Sequence, residues 1–216
     1  MAKDTDMNRT QKRYDRLAPF YDLFEALMES WRFALWRVRL KENIRGPRAL
    51  EAGIGTGKNI NFYPEGVDIT GIDFSSRMLQ RARKRAKKMR HTMDLMKMDV
   101  QKLRFPDHSF DTVFATFVFC SVPDPVQGLM ELRRVCKPDG RLLLLEHMRP
   151  ENPFLARLFD FLAPLVVRIT GANINRKTME NIHRAGWQIE NEEHLSGDIV
   201  RWIVARPQRS IRRDAP

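Results

Sequence analysis

Cysteine is nearly absent: Cys120 and Cys136 are the whole supply in 216 residues. Neither belongs to a Cys-x-x-Cys pair or a Cys/His cluster, which excludes a disulfide framework and a structural zinc site. No uncharged apolar run reaches the ~18–20 residues that cross a bilayer. The leader MAKDTDMNRTQKRYDRL lacks the apolar stretch of a secretory signal. These gaps point to a cytoplasmic protein, either soluble or peripheral on the inner membrane face. Glycine (11 residues) and proline (12) are too sparse for collagen-like or linker-like sequence. Acids are also short, 27 against 38 lysines and arginines, giving a net charge of +11 and a pI near 10.1. That excess favours an anionic partner: nucleic acid, a membrane surface or a charged substrate. With 43% hydrophobic residues the chain can still bury a core, and its length fits one domain with an appendage.

Three parts follow from the pattern. Residues 1–46 read as a helical cap with a membrane-facing segment. Phe20, Leu23, Phe24, Leu27, Trp31, Ala34 and Val38 recur every three or four positions, and Phe33, Leu35, Trp36 and Leu40 widen the stripe. Residues 47–208 alternate strands and helices, with an apolar lid insert at about 150–175. Residues 209–216 form a basic tail. Strands are expected at Arg48–Ala52, Val67–Asp73, Thr92–Asp99, Phe110–Phe119 and Arg141–His147, then at Trp187–His194 and Ile199–Arg206. Helices are expected between them, with Lys137-Pro-Asp-Gly140 stopping the one that begins at Pro125. This alternation implies an α/β fold with a mostly parallel sheet, closed by an antiparallel edge.

The sharpest motif is Leu50-Glu-Ala-Gly-Ile-Gly-Thr-Gly57, between the first strand and the next helix. A phosphate-gripping loop needs Gly-x4-Gly-Lys-Ser/Thr, but Ala52 and Asn59 occupy its first and last positions. A dinucleotide loop needs Gly-x-Gly-x-x-Gly, but Lys58 stands where its third glycine belongs. What remains is acid-x-Gly-x-Gly-x-Gly, from Glu51 through Gly53 and Gly55 to Gly57. Two more acids stand at strand ends: Asp73, before Phe74, and Asp99, before Val100. An acid at the second strand can accept hydrogen bonds from ribose hydroxyls.

With these residues, residues 47–147 resemble the class I S-adenosylmethionine-dependent methyltransferases. Phe105-Pro-Asp-x-Ser-Phe-Asp111 and Arg134-Val-x-Lys-Pro-x-Gly140 also match that family. The resemblance implies a Rossmann-like fold of seven strands and S-adenosyl-L-methionine as cofactor, with S-adenosyl-L-homocysteine as product. It implies a donor site at Glu51, Gly53, Gly55, Gly57, Asp73, Phe74, Asp99, Val100 and Thr116, with Asp99 accepting from the adenine amine.

The acceptor is read from the ends of the chain. Enzymes that methylate base amino groups carry Asn/Asp-Pro-Pro-Tyr/Phe after the fourth strand. Ala115-Thr-Phe-Val-Phe-Cys120 stands there instead, so no nucleic-acid partner is expected. Arg77–Arg90 holds eight basic residues in fourteen, the pattern of a solvated helix face and one that also suits anionic lipid. Tyr14-Asp-x-x-Ala-Pro-x-Tyr21-Asp22 resembles the leader of the bacterial phospholipid N-methyltransferases and the related quinone C-methyltransferases. Arginines beside the aromatic stripe, and the greasy insert 153–170, fit an interfacial protein with an amphiphilic acceptor.

Together these features imply N-methylation of phosphatidylethanolamine and its methylated intermediates at an anionic phospholipid membrane surface. Tyr14, Tyr21 and His147 are the catalytic candidates; Glu146, Arg176 and Lys177 are the substrate-binding ones, and no metal is expected. Alternatives are C-methylation of a quinone precursor, S-methylation of a small thiol (from the likeness of Phe119–Val122, Leu145–His147 and Gly171–Arg176 to the animal thiol methyltransferases), and a donor-binding or membrane-binding module without transferase activity.

Overall fold

The structure is a computed structural model that describes residues 31–197 and 199–208. Tyr14, Tyr21, the leading part of the aromatic stripe and the tail at 209–216 lie outside the described residues. Helix α1 (Trp31–Asn43) precedes β1 (Arg48–Ala52), a 3-10 turn (Lys58–Phe62), β2 (Asp68–Asp73), α2 (Ser76–Lys88), β3 (Asp94–Lys97) and β4 (Phe110–Thr116). Then come α3 (Pro125–Val135), β5 (Cys136–His147), α4 (Pro153–Thr170), α5 (Thr178–Arg184), β6 (Trp187–Ser196) and β7 (Val200–Pro207).

The seven strands form one sheet in the order β3-β2-β1-β4-β5-β7-β6. The pairs from β3 through β5 are parallel. β7 runs antiparallel to both β5 and β6. The antiparallel strand therefore lies one place inside the rim, and β6 is the edge. Strand order reverses between β1 and β4, and doubly wound sheets open a ligand crevice at such a switch point.

Side chains alternate across the sheet, so each strand feeds two cores. Leu50, Ala52, Val113, Ala115, Leu142 and Leu144 pack with Leu129 and Leu132 of α3 and Ile182 of α5. Ala49, Phe114, Leu143 and Leu145 face the other way, onto Trp36 and Leu40 of α1, Ile60, Tyr63, and Leu79 and Ala82 of α2. Burying each of these large side chains contributes about 1.5–3 kcal/mol.

Local chemistry sets the helix starts. Ser75 caps α2 by accepting from Met78 N at 3.1 Å, Asp124 caps α3 by accepting from Gln127 N at 3.0 Å, and Asn152 caps α4 by accepting from Phe154 N at 3.0 Å. Several details differ from the sequence reading, among them β3, which spans Asp94–Lys97 rather than Thr92–Asp99. The Lys137–Gly140 stretch, expected only to stop the helix ahead of a strand at Arg141, is already part of β5, whose Cys136 pairs with Phe110 across an irregular register. β4 stops at Thr116, because Phe117 takes a left-handed φ of 57°. In α1 the buried face runs through Phe33, Trp36, Arg37 and Leu40, leaving Ala34 and Val38 exposed.

Candidate active site

A cavity with ≈ 950 Å³ of empty space, counting its open mouth, sits over the carboxyl ends of β1, β2 and β4. Gly53 and Gly55 form its floor, with φ of 68° and 57°. A Cβ on Gly53 would stand 2.5 Å from a Val118 methyl, so only glycine lets the loop pass beneath the β4 segment. Gly57 serves the fold rather than the cavity lining: a Cβ there would meet Ile60 at 2.6 Å and the α2 backbone at Ala82 at 3.2 Å.

Asp73 ends β2 and faces the cavity. One carboxylate oxygen accepts from Gly55 N at 2.9 Å and the other from Ser75 N at 2.8 Å. The same residue thus fixes the glycine loop and the start of α2. Asp99 lies beyond β3, where its carboxylate accepts from Gln101 N at 2.9 Å and from the Gln101 amide at 3.1 Å. Gln101 in turn accepts from Asp124 N at 2.9 Å, tying this acid to the cap of α3. Phe74, Val100, Ile72, Met78 and Met98 supply an apolar slot between the two acids.

Glu51 is fully buried and is not among the residues that line the cavity. It follows Leu50 on β1, so it faces α1 and the 3-10 turn. There it accepts from Asn59 Nδ2 at 2.6 Å and from the Tyr63 hydroxyl. Asn59 also donates to Thr116 Oγ1 at 2.9 Å and accepts from Arg37 Nε at 3.0 Å. Arg37, Asn59 and Thr116 all reach the cavity wall, and Glu51 holds them from behind. Burial pushes the Glu51 carboxyl up to about 7, against the opposing pull of Tyr63, Asn59 and Arg37.

The acceptor-side candidates divide. Glu146 and His147 are neighbours on β5, so their side chains leave opposite faces of the sheet. Glu146 lies fully buried on the α3 face, where one oxygen accepts from Val118 N at 2.7 Å and Phe119 N at 2.9 Å. Burial raises its pKa to about 7 despite those bonds. His147 stacks on Phe117, ring centroids 4.5 Å apart, and burial lowers its pKa, which keeps the ring neutral. Phe117 lines the cavity and His147 does not. Arg176 donates to the Val122 carbonyl at 2.6 Å. Lys177 is exposed and pairs with Glu180 at 3.4 Å. The structure brings Glu146 and Arg176 together behind the segment after β4, sets His147 on the other face of the sheet and leaves Lys177 at the surface. Tyr14 and Tyr21 lie outside the described residues.

Sequence reasoning missed Arg37, Asn59 and Gln101. Asn59 entered only as a mismatch to a phosphate loop. Its partners Glu51 and Thr116 lie 8 and 57 residues away, so only the β1–β4 pairing brings the three together.

The cavity suits a nucleoside carrying an amino-acid arm. Its wall combines the acids Asp73 and Asp99, apolar side chains, and Arg37 and Lys58 beside the glycine loop. Residues 50–144 match the methyltransferase domain family. The phosphatidylethanolamine N-methyltransferase of Cereibacter sphaeroides is 37% identical over 154 residues, covering 70% of this chain and 74% of that one. A demethylmenaquinone methyltransferase of Clavibacter sepedonicus is 30% identical over 206 residues, covering 92% and 81%. Among solved structures, the [4+2]-cyclase SpnF superposes with a TM-score of 0.75 at 20% identity, over 92% of this chain and 94% of that one. An S-adenosylmethionine-dependent methyltransferase from Methanosarcina mazei superposes with a TM-score of 0.65 at 20% identity, over 78% and 97%. Geometry and kinship agree that this chain belongs to the class I S-adenosylmethionine-dependent methyltransferases.

Proposed function

We propose that this methyltransferase N-methylates the ethanolamine headgroup of phospholipid, and its partly methylated forms, while peripheral on the inner membrane face. The observation that carries this reading is the outer face of α4. Phe154 and Phe161 are 80% and 81% exposed, and Leu155, Leu158, Leu162 and Leu165 are exposed around them. Soluble monomers rarely present so continuous an apolar patch to water, and its natural complement is an apolar or amphiphilic surface. The net charge of +11 favours anionic lipid headgroups around such a patch. No described helix is long and apolar enough to cross a membrane. The kinship to the Cereibacter enzyme points to the same chemistry.

The cofactor supplies a methyl group already activated on a sulfonium. The chain's own task is alignment and exclusion of water. In this reading Asp73 and Asp99 hold the ribose and adenine, while the loop at Gly53 and Gly55, with Arg37 and Lys58, receives the amino-acid arm. Thr116, Phe117, Val118 and Ser121 wall the end next to the acceptor. An ethanolamine amine attacks as the free base, so its ammonium form first releases a proton to water, and Tyr14 and Tyr21 of the cap orient it. The acceptor phosphate is assigned to the basic surface rather than to Arg176, whose guanidinium is committed to the Val122 carbonyl.

The test is incubation of a lipid extract with radiolabelled S-adenosylmethionine, followed by separation by headgroup. Label in mono-, di- and trimethylated ethanolamine lipids is the expected result. Label confined to a quinone fraction would favour C-methylation instead, the reading supported by the Clavibacter relative, which aligns over 92% of the chain.

A further inference from the structure

Among the described residues, three buried side-chain atoms have no hydrogen-bond partner: Glu146 Oε2, Arg176 Nε and Arg201 Nε. Native proteins rarely leave such atoms unpaired, and each asks for a physical reason. The three are neighbours. Glu146 stands opposite Arg201 in the β5–β7 register, and Arg176 acts electrostatically on Glu146. Arg201 is otherwise engaged by Glu192 at 2.5 Å and Glu151 at 2.9 Å.

Glu146 and Arg176 share one target, the segment that follows β4. Its backbone is held at successive points from outside the cavity. Phe117 N donates to Leu145 O at 2.8 Å, Val118 N and Phe119 N donate to Glu146, Asn173 N donates to Cys120 O at 2.8 Å, and Arg176 donates to Val122 O. The inner side of the same segment, through Phe117, Val118, Ser121 and Val122, lines the cavity. Val118 also rests directly over Gly53. The left-handed φ of 57° at Phe117 is strained for a residue with a side chain and persists only where the surroundings impose it.

We propose that Glu146 and Arg176 are positioning residues for methyl transfer: a carboxylate and a guanidinium that clamp segment 117–122 from behind and so shape the donor cavity at its acceptor end. Arg176 sits just beyond α4 and its cap Gly171, and its carbonyl accepts from Arg149 N at 2.9 Å. The clamp therefore also ties the apolar lid to the wall of the donor cavity. Neither residue needs to touch acceptor or donor.

The role is tested by calorimetric affinity for S-adenosylhomocysteine together with amide exchange at Val118 and Phe119, in Glu146→Ala, Glu146→Gln and Arg176→Ala. A glutamine oxygen can still accept both N–H bonds. Glu146→Ala should weaken affinity at least tenfold and speed exchange at both amides. Glu146→Gln should stay within threefold of the parent in affinity and keep both amides protected. Arg176→Ala, which frees only the Val122 carbonyl, should fall between them, and it provides the readout if Glu146→Ala does not fold. Normal affinity in both Glu146→Ala and Arg176→Ala would overturn the proposal. So would a glutamine variant as impaired as the alanine one, since a direct electrostatic role of the charge would then be required. None of these readouts depends on which acceptor the enzyme methylates.

Discussion

Around the donor cavity, the polar groups of Asp73, Asp99, Asn59 and Thr116 are tied to one another or to backbone, and glycines fill the tight places. Along α4 the reverse holds: Ala156 and Ala163 are buried while Phe154, Phe161 and four leucines face out. The first region is a preorganised polar site whose loop leaves no room for a side chain at Gly53. The second is an apolar surface whose side chains touch little of the domain. A methyltransferase needs the first for the donor that the whole family shares, and the second can vary with the acceptor. The two should therefore respond to different mutations and in different assays.

The strongest attempt to break that division is Gly53→Ala. The added Cβ would strain a left-handed residue and collide with Val118. Each effect costs about 1–3 kcal/mol, so donor affinity should fall by about a hundredfold or more, read by calorimetry. An affinity within threefold would mean that the loop and segment 117–122 move freely, contrary to the picture of a fixed wall.

Next in size is the pH dependence of stability. Burial raises the pKa of Glu51 from 4.5 to about 7. A raised folded-state pKa means that the folded protein binds the extra proton. The stability this group contributes is complete below pH 4.5 and is lost as pH rises through about 7. The difference amounts to about 3 kcal/mol. In Glu51→Gln the melting temperature should lose that part of its decline between pH 5 and pH 8. An unchanged slope would show that Glu51 is ionised at no cost behind the site.

Asp73→Ala should weaken donor binding about tenfold or more, about 1.4 kcal/mol, because it removes the carboxylate proposed to accept from the ribose and releases Gly55 N. The smallest effect on the fold is expected from Phe154→Ser with Phe161→Ser. Both rings are mostly in water, so stability should change by less than about 0.5 kcal/mol each. Sedimentation with anionic vesicles should nonetheless drop several-fold.

The contrast between the regions also explains what the sequence could disclose. Asp73 was readable because a strand end followed by a helix start fixes where an acid must point, and Asp99 because it closes an apolar stretch that reads as a strand, although β3 itself stops at Lys97. Arg37 was not, since one arginine among several on a helix is singled out only by how α1 docks, which buries Arg37 beside Trp36 and Leu40. The left-handed turn at Phe117 carries no glycine or asparagine signal, so β4 read as running to Phe119. Glu146 and His147 are different: two-residue alternation through Leu142–Leu145 already separates their faces, and grouping them overlooked it.

The central claim is that donor binding and acceptor engagement reside in separate surfaces. The most direct test is the initial rate of methyl transfer to phosphatidylethanolamine in anionic vesicles, compared with affinity for S-adenosylhomocysteine, in the Phe154→Ser, Phe161→Ser double variant. The account predicts a rate at least tenfold lower with affinity unchanged. Full turnover on vesicles, or a parallel loss of donor affinity, would contradict it.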